Sequence, residues 1–580
     1  MNTNCYTVIT FAPVQGFIEK SRKLRDLYGS SFLISYLAEA ICKEAEKHGY
    51  KVISPALIKV TQGTPNQIIL KRQFDKEFDK ELARESMHKA WRTVSETCRQ
   101  WIEDNVKDCG KYYWHRNWQS WGNYTWEFFW GSGDTISKAR EAINEAKRSR
   151  DWIGINWTGE SSTLSGADGV AWPGMGIGNP QKTNRHKQKQ EIADFYQRLS
   201  YKLGEAFIET AKLTIAEDKL AALMKEYGEA FVDPDEELSI PELVKRLITH
   251  QAIANKIVSN LKEQIDPNSP HRLNILTKEL KPDSFSDISR LKHKDKDTKS
   301  QESHEEKYWT GWFQGDGDRM GDLLKRLSQN PKTEPDELNK FSQAMMKWGE
   351  DKFKPAIVEA EGRTVYAGGD DFMGIFYRLP EKTLPNQEFT PLTGKECVNW
   401  FASKFPSIWR QHHQPITVSV GFVWTAPNVP QRDVLQHCRL AEKSAKDSGK
   451  DRMAIRILFN GGTHIEWVCP WWCLPVLEHY QDREGTKIKP NWTHIYNDVA
   501  TLESRQAFKD NTQIAEALFK IYFPDCEEWI HKLNWWVNCY KDGERTGLLG
   551  HEAKDARKEE IELFNEWFIN LAKVGFHLCR

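Results

Sequence analysis

Residues 308–460 alternate short apolar runs with longer amphipathic ones in the order β-α-α-β-β-α-β-α-β, and that order leaves few folds open. A first strand ends near Gln314. Helical patterns cover 319–327 and 335–359, and two short strands, 364–367 and 372–377, flank Gly368-Gly369-Asp370-Asp371. A helix over 395–412, a strand over 416–424, a helix over 431–446 and a strand over 454–459 complete the run. Strands joined by helices and one hairpin build a sheet with helices on one face, the ferredoxin-like arrangement.

With 580 residues the chain exceeds one hydrophobic core, so several domains are expected. Near the N-terminus, 6–11 reads as a strand, 14–47 as a helix and 51–55 as a second strand. Trp126, Phe128 and Trp130 alternate with Glu127 and Phe129, the pattern of a half-buried strand. This portion is α/β with a helical insertion around 80–106. From 136 to 282 the pattern is mainly helical, broken by a loop rich in Gly, Ser and Trp at 156–179 and a polar run at 181–190. Residues 283–307 carry many charges of both signs and little apolar material, so they read as a mobile linker or loop rather than a nucleic-acid contact. The tail, 466–580, is mainly helical and opens with Trp467, Trp471 and Trp472.

Composition narrows the class. A net charge of -1 gives no overall bias toward polyanions, and no stretch reaches the length a membrane span needs. The N-terminus lacks the pattern of a signal peptide, and eleven scattered cysteines, an odd number, read as reduced thiols of a cytoplasmic protein. The 24 tryptophans read as large packing units, with base stacking by one or two left unassigned.

The chemistry concentrates in two acidic motifs. Asp316-Gly317-Asp318 follows the first strand of the 308–460 region, and Gly368-Gly369-Asp370-Asp371 sits in its hairpin. Neighbouring strand residues face opposite sides, so a tight turn at the two glycines is needed for Asp370 and Asp371 to serve one site. Carboxylates clustered in this way repel unless a cation lies among them. Magnesium suits such ligands, and a pair of ions activates a 3′-hydroxyl while stabilising leaving pyrophosphate. The loop 317–321 opens a helix whose backbone N–H groups can hold phosphate, and Lys446 and Arg452 are placed to neutralise a triphosphate. Taken singly, Gly-Gly-Asp-Asp is usually a solvated turn, Asp-Gly-Asp a turn or cap, and Lys446 a helix-end charge. Their joint placement at neighbouring strand ends favours one metal-dependent nucleotidyl-transfer site. Cys469 and Cys473, near His464 and His479, lack a second cysteine pair and read as buried thiols rather than a zinc site.

The stretch FQGDGDRMGDLL, followed by VYAGGDDFMGIF, SVGFVW and AEKSAKDSGKDRMAI, resembles the second palm of the large subunit of type III CRISPR effector complexes. FAPVQGFIEKSRKLRDLYGSSFLISYL resembles the first palm in the Cmr-type branch. The resemblance implies an α+β fold: two ferredoxin-like palm domains of the polymerase/nucleotide cyclase type, a helical insertion and a C-terminal helical domain. The expected division is a degenerate first palm at 1–135, a helical middle domain and charged linker at 136–306, the second palm at 307–465 and a helical domain at 466–580.

It also implies synthesis of cyclic oligoadenylate from ATP, activated by target RNA, in antiviral defence. Asp316, Asp370 and Asp371 would hold Mg2+ or Mn2+ and act in catalysis. Gly317, Asp318, Gly368, Gly369 and Lys446 would contact the nucleotide. In the first palm, Arg22, Asp26, Gly29 and Ser30 match the family pattern, and Arg22, Gly29 and Ser30 would face an ATP bound without metal ligands. Implied partners are guide RNA, target RNA, a small helical subunit and the subunit holding the guide 5′ end, with no membrane.

The sequence departs from the family in places. There is no His-Asp dipeptide, so no HD-type DNase is expected, and Ser161–Gly166 lacks the cysteines of the family's zinc site, so no zinc is expected. Arg319 stands where many members carry Asn, and Asp322 where many carry a basic residue. Two other readings remain: a catalytically silent scaffold of the RNA-guided complex, and a stand-alone nucleotide cyclase.

Overall fold

The computed structural model describes residues 5–73, 78–107, 109–150, 154–177, 184–261, 271–282, 308–378, 390–483, 490–509, 512–531, 547–548 and 560–579. The linker expected at 283–307 lies outside the described residues. The chain divides into two compact units, Met1–Ser289 with Leu327–Gln343, and Arg290–Arg326 with Ala344–Arg580.

The first unit holds a four-stranded sheet of β1 (Tyr6–Ala12), β2 (Tyr50–Ser54), β3 (Ile68–Arg72) and β4 (Glu127–Gly133), in the order β2-β3-β1-β4 with every pair antiparallel. This is the ferredoxin-like order, with the first strand central. The expected helix over 14–47 is two, α1 (Gln15–Glu19) and α2 (Leu24–Lys47). The break arises because the Asp26 carboxylate draws the N–H groups of Arg22 and Lys23 out of a helical path and starts α2 afresh. β3 was not expected: its Ile68-Ile69-Leu70 run is too short to announce itself, yet it pairs with both β1 and β2.

Around the sheet stand α3 (Lys80–Asn105), α4 (His115–Tyr124) and α5 (Ile136–Arg148). β4 alternates as a half-buried strand: Phe129, Gly131 and Gly133 face inward while Phe128 and Trp130 are half-buried. α5 lies so close that a Cβ on Gly131 would come 2.3 Å from the Ile143 nitrogen. α5 therefore belongs with the first palm, and the expected boundary at 135 falls too early. The rest of the unit is helical: α6 (Arg185–Ala211), α7 (Glu217–Phe231), α8 (Ile240–Leu247), α9 (Gln251–Leu261) and α10 (Arg272–Glu279).

The second unit is built on β5 (Thr310–Gly317), β6 (Gly362–Ala367), β7 (Phe372–Phe376), β8 (Val418–Thr425), β9 (Arg452–Leu458) and β10 (His464–Pro470), in the order β10-β9-β8-β5-β7-β6. The four strands β6-β7-β5-β8 repeat the order of the first sheet. β9 adds parallel to β8, and β10 closes antiparallel to β9. β10 was read as the start of the helical tail, so the expected boundary at 465 cuts through a strand of the palm sheet. Its alternation is hidden by the aromatic run that follows.

The helices here are α11 (Met320–Ser328), α12 (Glu334–Trp348), a π-helical turn at Gly349–Phe353, α13 (Lys354–Glu359), α14 (Gly394–Ser403), α15 (Phe405–Arg410) and α16 (Gln431–Asp447). The tail adds α17 (Thr493–Ser504), α18 (Gln513–Tyr522), α19 (Glu527–His531) and α20 (Glu560–Leu578). Residues 327–343, expected in the second palm, group with the first unit, so the division falls within α12.

Helices cover both faces of the second sheet, not one. Ala441 and Ala445 of α16 pack on Ala454 of β9. On the opposite face Phe313 meets Phe353, Phe376 and Phe401, and Trp567 of α20 donates its indole N–H to the Val468 carbonyl. β8 is buried along its whole length, as a strand covered on both sides must be.

Candidate active site

Asp316 is the penultimate residue of β5, inside the strand rather than after it. Gly315 pairs with Phe372, and two residues on the Gly317 N–H donates to the Asp370 carbonyl at 3.2 Å. This continued register sets Asp316 opposite Asp371, on the same face of the antiparallel pair. Gly317 is required where it is: a Cβ there would lie 2.9 Å from the Cβ of Asp370 and 3.4 Å from its Oδ2. Gly369, with φ 134°, takes a backbone conformation side chains resist, and the turn after Gly368 brings both aspartates back to the end of β5.

α16 supplies the cation. Lys446 pairs with Asp316, and with Glu442 one turn earlier at 2.9 Å. Burial, then Lys450, push the Lys446 ammonium down to about 8. Burial and the neighbouring Asp371 push the Asp370 carboxyl up. Asp371, although its surface opens to solvent, is pushed the same way by partial desolvation in this acidic cleft. Burial, then Asp371 and Asp318, push Glu442 up to about 7. Asp451 is likewise pushed up to about 7, by burial and Asp318. The cleft thus holds more negative charge than it neutralises.

Asp318 has a different place from the one expected. It is buried and accepts hydrogen bonds from Ser419 Oγ (2.7 Å), Thr417 Oγ1 (2.9 Å) and the Asp451 N–H (2.9 Å). Its own N–H donates to the Thr417 carbonyl at 2.8 Å. It clamps the ends of three strands together and does not face a nucleotide. The N–H groups of Gly317 and Asp318 are therefore both used, which removes them from the expected phosphate-holding loop. Arg452 is also not at the site: it is fully buried and donates to the carbonyls of Leu548 (3.0 Å) and Gly547 (3.2 Å).

Among the described residues no three His, Cys, Asp or Glu side chains stand ready to hold a metal ion. The expected ligands meet through the backbone, where the end of β5 adjoins the Gly-Gly turn, but their side chains are not assembled for a metal ion: Asp370 lies against Gly317, and Asp316 is paired with Lys446. Their donors fit a hard divalent cation nonetheless: all are carboxylate oxygens, and Lys446 is a stand-in for the positive charge they lack. Glu442, Asp451, Thr417 and Ser419 were missed in the sequence. Only Glu442 had a readable signal, its spacing of four from Lys446 on one helix.

In the first unit, three of the four motif residues are structural. Asp26 is buried and holds Arg246 through two bonds of 2.8 Å. Gly29 lets α2 touch α8, since a Cβ would lie 2.2 Å from the Lys245 carbonyl oxygen. Ser30 is buried and donates to the Asp26 carbonyl at 2.6 Å. Gly29 and Ser30 are thus corrected from nucleotide contacts to helix packing. Arg22 is exposed and lies 3.7 Å from Glu236. Cys469 and Cys473 are buried thiols at the end of β10.

Fold and site together define a two-palm α+β protein of the polymerase/nucleotide cyclase type, with one sheet of each unit in ferredoxin-like order and an acidic cleft on the second. Residues 309–454 match the family model "Cas10/Cmr2, second palm domain", and residues 6–109 match "CRISPR-associated protein Cmr2, N-terminal". These two segments are similar to domains of Cas10/Cmr2 proteins of the Cmr type. No curated protein matches the sequence. Among solved structures, a chain of the type III-B Cmr-beta complex in its apo state is 11% identical, with 98% of this chain and 81% of that one covered and a TM-score of 0.53. This likeness shows the shared fold. Cmr-beta bound to cognate target RNA (10% identity, 99% and 83% covered, TM-score 0.41) and Csm1 in T. onnurineus (12%, 100% and 70%, 0.41) superpose too loosely to carry an argument. No helix among the described residues is long and apolar enough to cross a membrane.

Proposed function

We propose that the chain is the large subunit of a type III-B RNA-guided complex and that its second palm joins ATP molecules into cyclic oligoadenylate when target RNA is bound. The observation that supports this reading is the junction of β5 with the Gly-Gly turn, where the Gly317 N–H meets the Asp370 carbonyl and Lys446 pairs with Asp316. Asp316, Asp370 and Asp371 would hold Mg2+ or Mn2+, which supplies Lewis acidity toward the triphosphate and the 3′-hydroxyl. The chain's own residues do the rest. Lys446, released from Asp316 once that carboxylate is otherwise neutralised, turns its ammonium to a phosphate oxygen. Asp318 holds the strand ends so that this exchange takes place at fixed spacing. Gly369 leaves room for a ribose or phosphate to approach the turn backbone. Guide RNA, target RNA, a small helical subunit and the subunit at the guide 5′ end are the partners of this reading.

The test is incubation of the assembled complex with magnesium, ATP and complementary RNA, followed by mass spectrometry. Oligoadenylates are expected with the native chain and absent with Asp370→Ala plus Asp371→Ala. If no target elicits product from the native complex, the chain is a scaffold and the catalytic reading is wrong.

A further inference from the structure

Lys80, Arg84, His88 and Arg92 recur at every fourth residue of α3, which sets them in one stripe with steps of about 6 Å along the helix. β4, an edge strand of the first sheet, runs beside this stripe and turns Phe128 and Trp130 away from α5, with Trp126 just before it. The Lys80 ammonium sits 3.8 Å from the Trp130 ring centre, so stripe and strand are in contact at one end. Toward the other end the surface opens into a cavity of about 360 Å³ whose lining includes Arg84, Glu85, Arg92, Tyr124, Glu127 and Phe128, with His88 and Trp126 at its wall. Trp126 is its buried wall, edge-on to Trp91 and Phe11. Tyr124, the last residue of α4, is 55% exposed, an unusual position for a large aromatic ring.

Cations in a row beside one exposed ring and two half-buried ones, here Tyr124, Phe128 and Trp130, are elements by which proteins hold an unpaired nucleic-acid strand: rings stack on bases and cations meet phosphates. The acidic neighbours limit the ligand's length without excluding it. Arg84 pairs with Glu81 and Arg92 with Glu85, but all four side chains are exposed and such pairs are weak, so a phosphate group competes well for either guanidinium. Glu127, also on the lining, is drawn off by Arg150 at 3.4 Å. Burial, then Arg92 and Arg84, hold the His88 imidazole below its usual range while Glu85 opposes, and the lining sets two arginines, Arg84 and Arg92, against two carboxylates, Glu85 and Glu127, so a phosphate is held by local pairing with a guanidinium rather than by net charge. The volume suits one nucleotide at a time.

We propose that this cavity binds single-stranded nucleic acid, with one base stacked on Tyr124 and Phe128 and its flanking phosphates on Arg84 and Arg92. It is separate from the acidic cleft of the second unit and needs neither ATP nor metal. The test uses the full chain with a fluorescein-labelled ten-nucleotide oligouridylate, read by anisotropy. Tyr124→Ala, and Arg84→Ala with Arg92→Ala, are each expected to weaken binding roughly tenfold, the loss of one stacked base or of its phosphate partners. Arg116→Ala removes an exposed arginine of α4 outside the cavity and is expected to leave affinity within about twofold. A 4-thiouridine strand is expected to crosslink to the segment 123–130.

Equal weakening by Arg116→Ala would mean diffuse charge attraction and overturn the proposal, as would no binding up to about 100 μM, the weak end of non-specific association. Displacement of the strand by AMP at equal nucleotide concentration would identify a free-nucleotide site and overturn the strand assignment. Arg84, Arg116 and Tyr124 are exposed and Arg92 as a whole half-buried, and an unchanged melting curve confirms that each variant is folded. A failure here leaves oligoadenylate synthesis untouched, because that assay reads a different site.

Discussion

Replacing Arg246 by Met separates a structural role for the Arg22–Ser30 motif from a nucleotide-binding one. Arg246 is fully buried and joins Asp26 of α2 through Nε–Oδ1 and Nη2–Oδ2 contacts of 2.8 Å each, and it also pairs with Glu236. Burial works against both carboxylates, yet the Arg246 charge holds Asp26 and Glu236 below the usual carboxylate range. Removing one partner of a buried pair typically costs about 3–5 kcal/mol. Some compensation remains: Asp26 keeps the N–H groups of Arg22 and Lys23 at 2.9 Å, and Glu236 keeps Lys23 at 3.5 Å. The lower half of that range, about 3–4 kcal/mol, is therefore expected, or roughly 5–15 °C in the melting of the first unit.

The pH dependence supplies the signature. A carboxyl depressed in the folded state contributes stability above its unfolded value and loses it as pH falls through the folded one, so the native unit weakens in acid. In Arg246→Met the stranded carboxyls are raised instead, and the deficit should shrink between pH 7 and pH 4.5 as they take up protons. Calorimetry across that range, with amide exchange of α2 and α8 to assign the transition, measures both effects. A loss below about 1 kcal/mol, or a deficit that stays constant in acid, would refute the argument and reopen the nucleotide-binding reading of the Arg22–Ser30 motif.

The second unit should behave in the opposite sense. Its raised carboxyls, Asp370, Asp371, Glu442 and Asp451, give stability that is present in acid and lost as pH rises through their folded values, so without divalent metal this unit should melt lower at pH 8 than at pH 5.5. Asp370→Asn with Asp371→Asn should flatten that slope and raise the metal-free melting temperature at pH 8; a flat native profile in chelator would contradict it. Asp318→Ala should cost about 2–4 kcal/mol, since it strands the Ser419 and Thr417 hydroxyls and the Asp451 N–H, and should speed amide exchange at 449–452. Normal stability in that variant would mean that the clamp is not needed.

The second palm was legible because its strands are separated by long helical patterns whose period differs from theirs. Every element between β5 and β9 was located to within a few residues, apart from the division of 335–359 and 395–412 into shorter helices. What failed was local pattern overruled by tertiary contact. On β4 the alternation did not say which face is inner; that face needs small residues where α5 presses on Gly131, so the rings of Phe128 and Trp130 take the other. β10 holds Trp467 inside and Glu466 outside, a proper alternation, yet the Trp471-Trp472 run beyond it blurs the strand's end. β3 carries three consecutive apolar residues and no alternation, because a strand between two others in a covered sheet is apolar on both sides.

At the site the legible part was the part that repeats in type and spacing, two acidic motifs at strand ends. The roles within each motif were not legible. Asp316 and Asp318 look equivalent in Asp-Gly-Asp, and alternation alone would place both on the α16 face. They diverge because β5 ends between them. Asp316 stays in the ladder opposite Asp371, while Asp318, past the last pair, turns inward to collect Thr417, Ser419 and Asp451. Lys446 and Arg452, six residues apart, diverge in the same way: one ends a helix over the cleft, and the other begins a strand and sends its guanidinium into the interior. The burial of Asp318 is what makes the site possible, because a carboxylate satisfied by three donors fixes three strand ends, and those ends set where the acidic cluster and its lysine can meet.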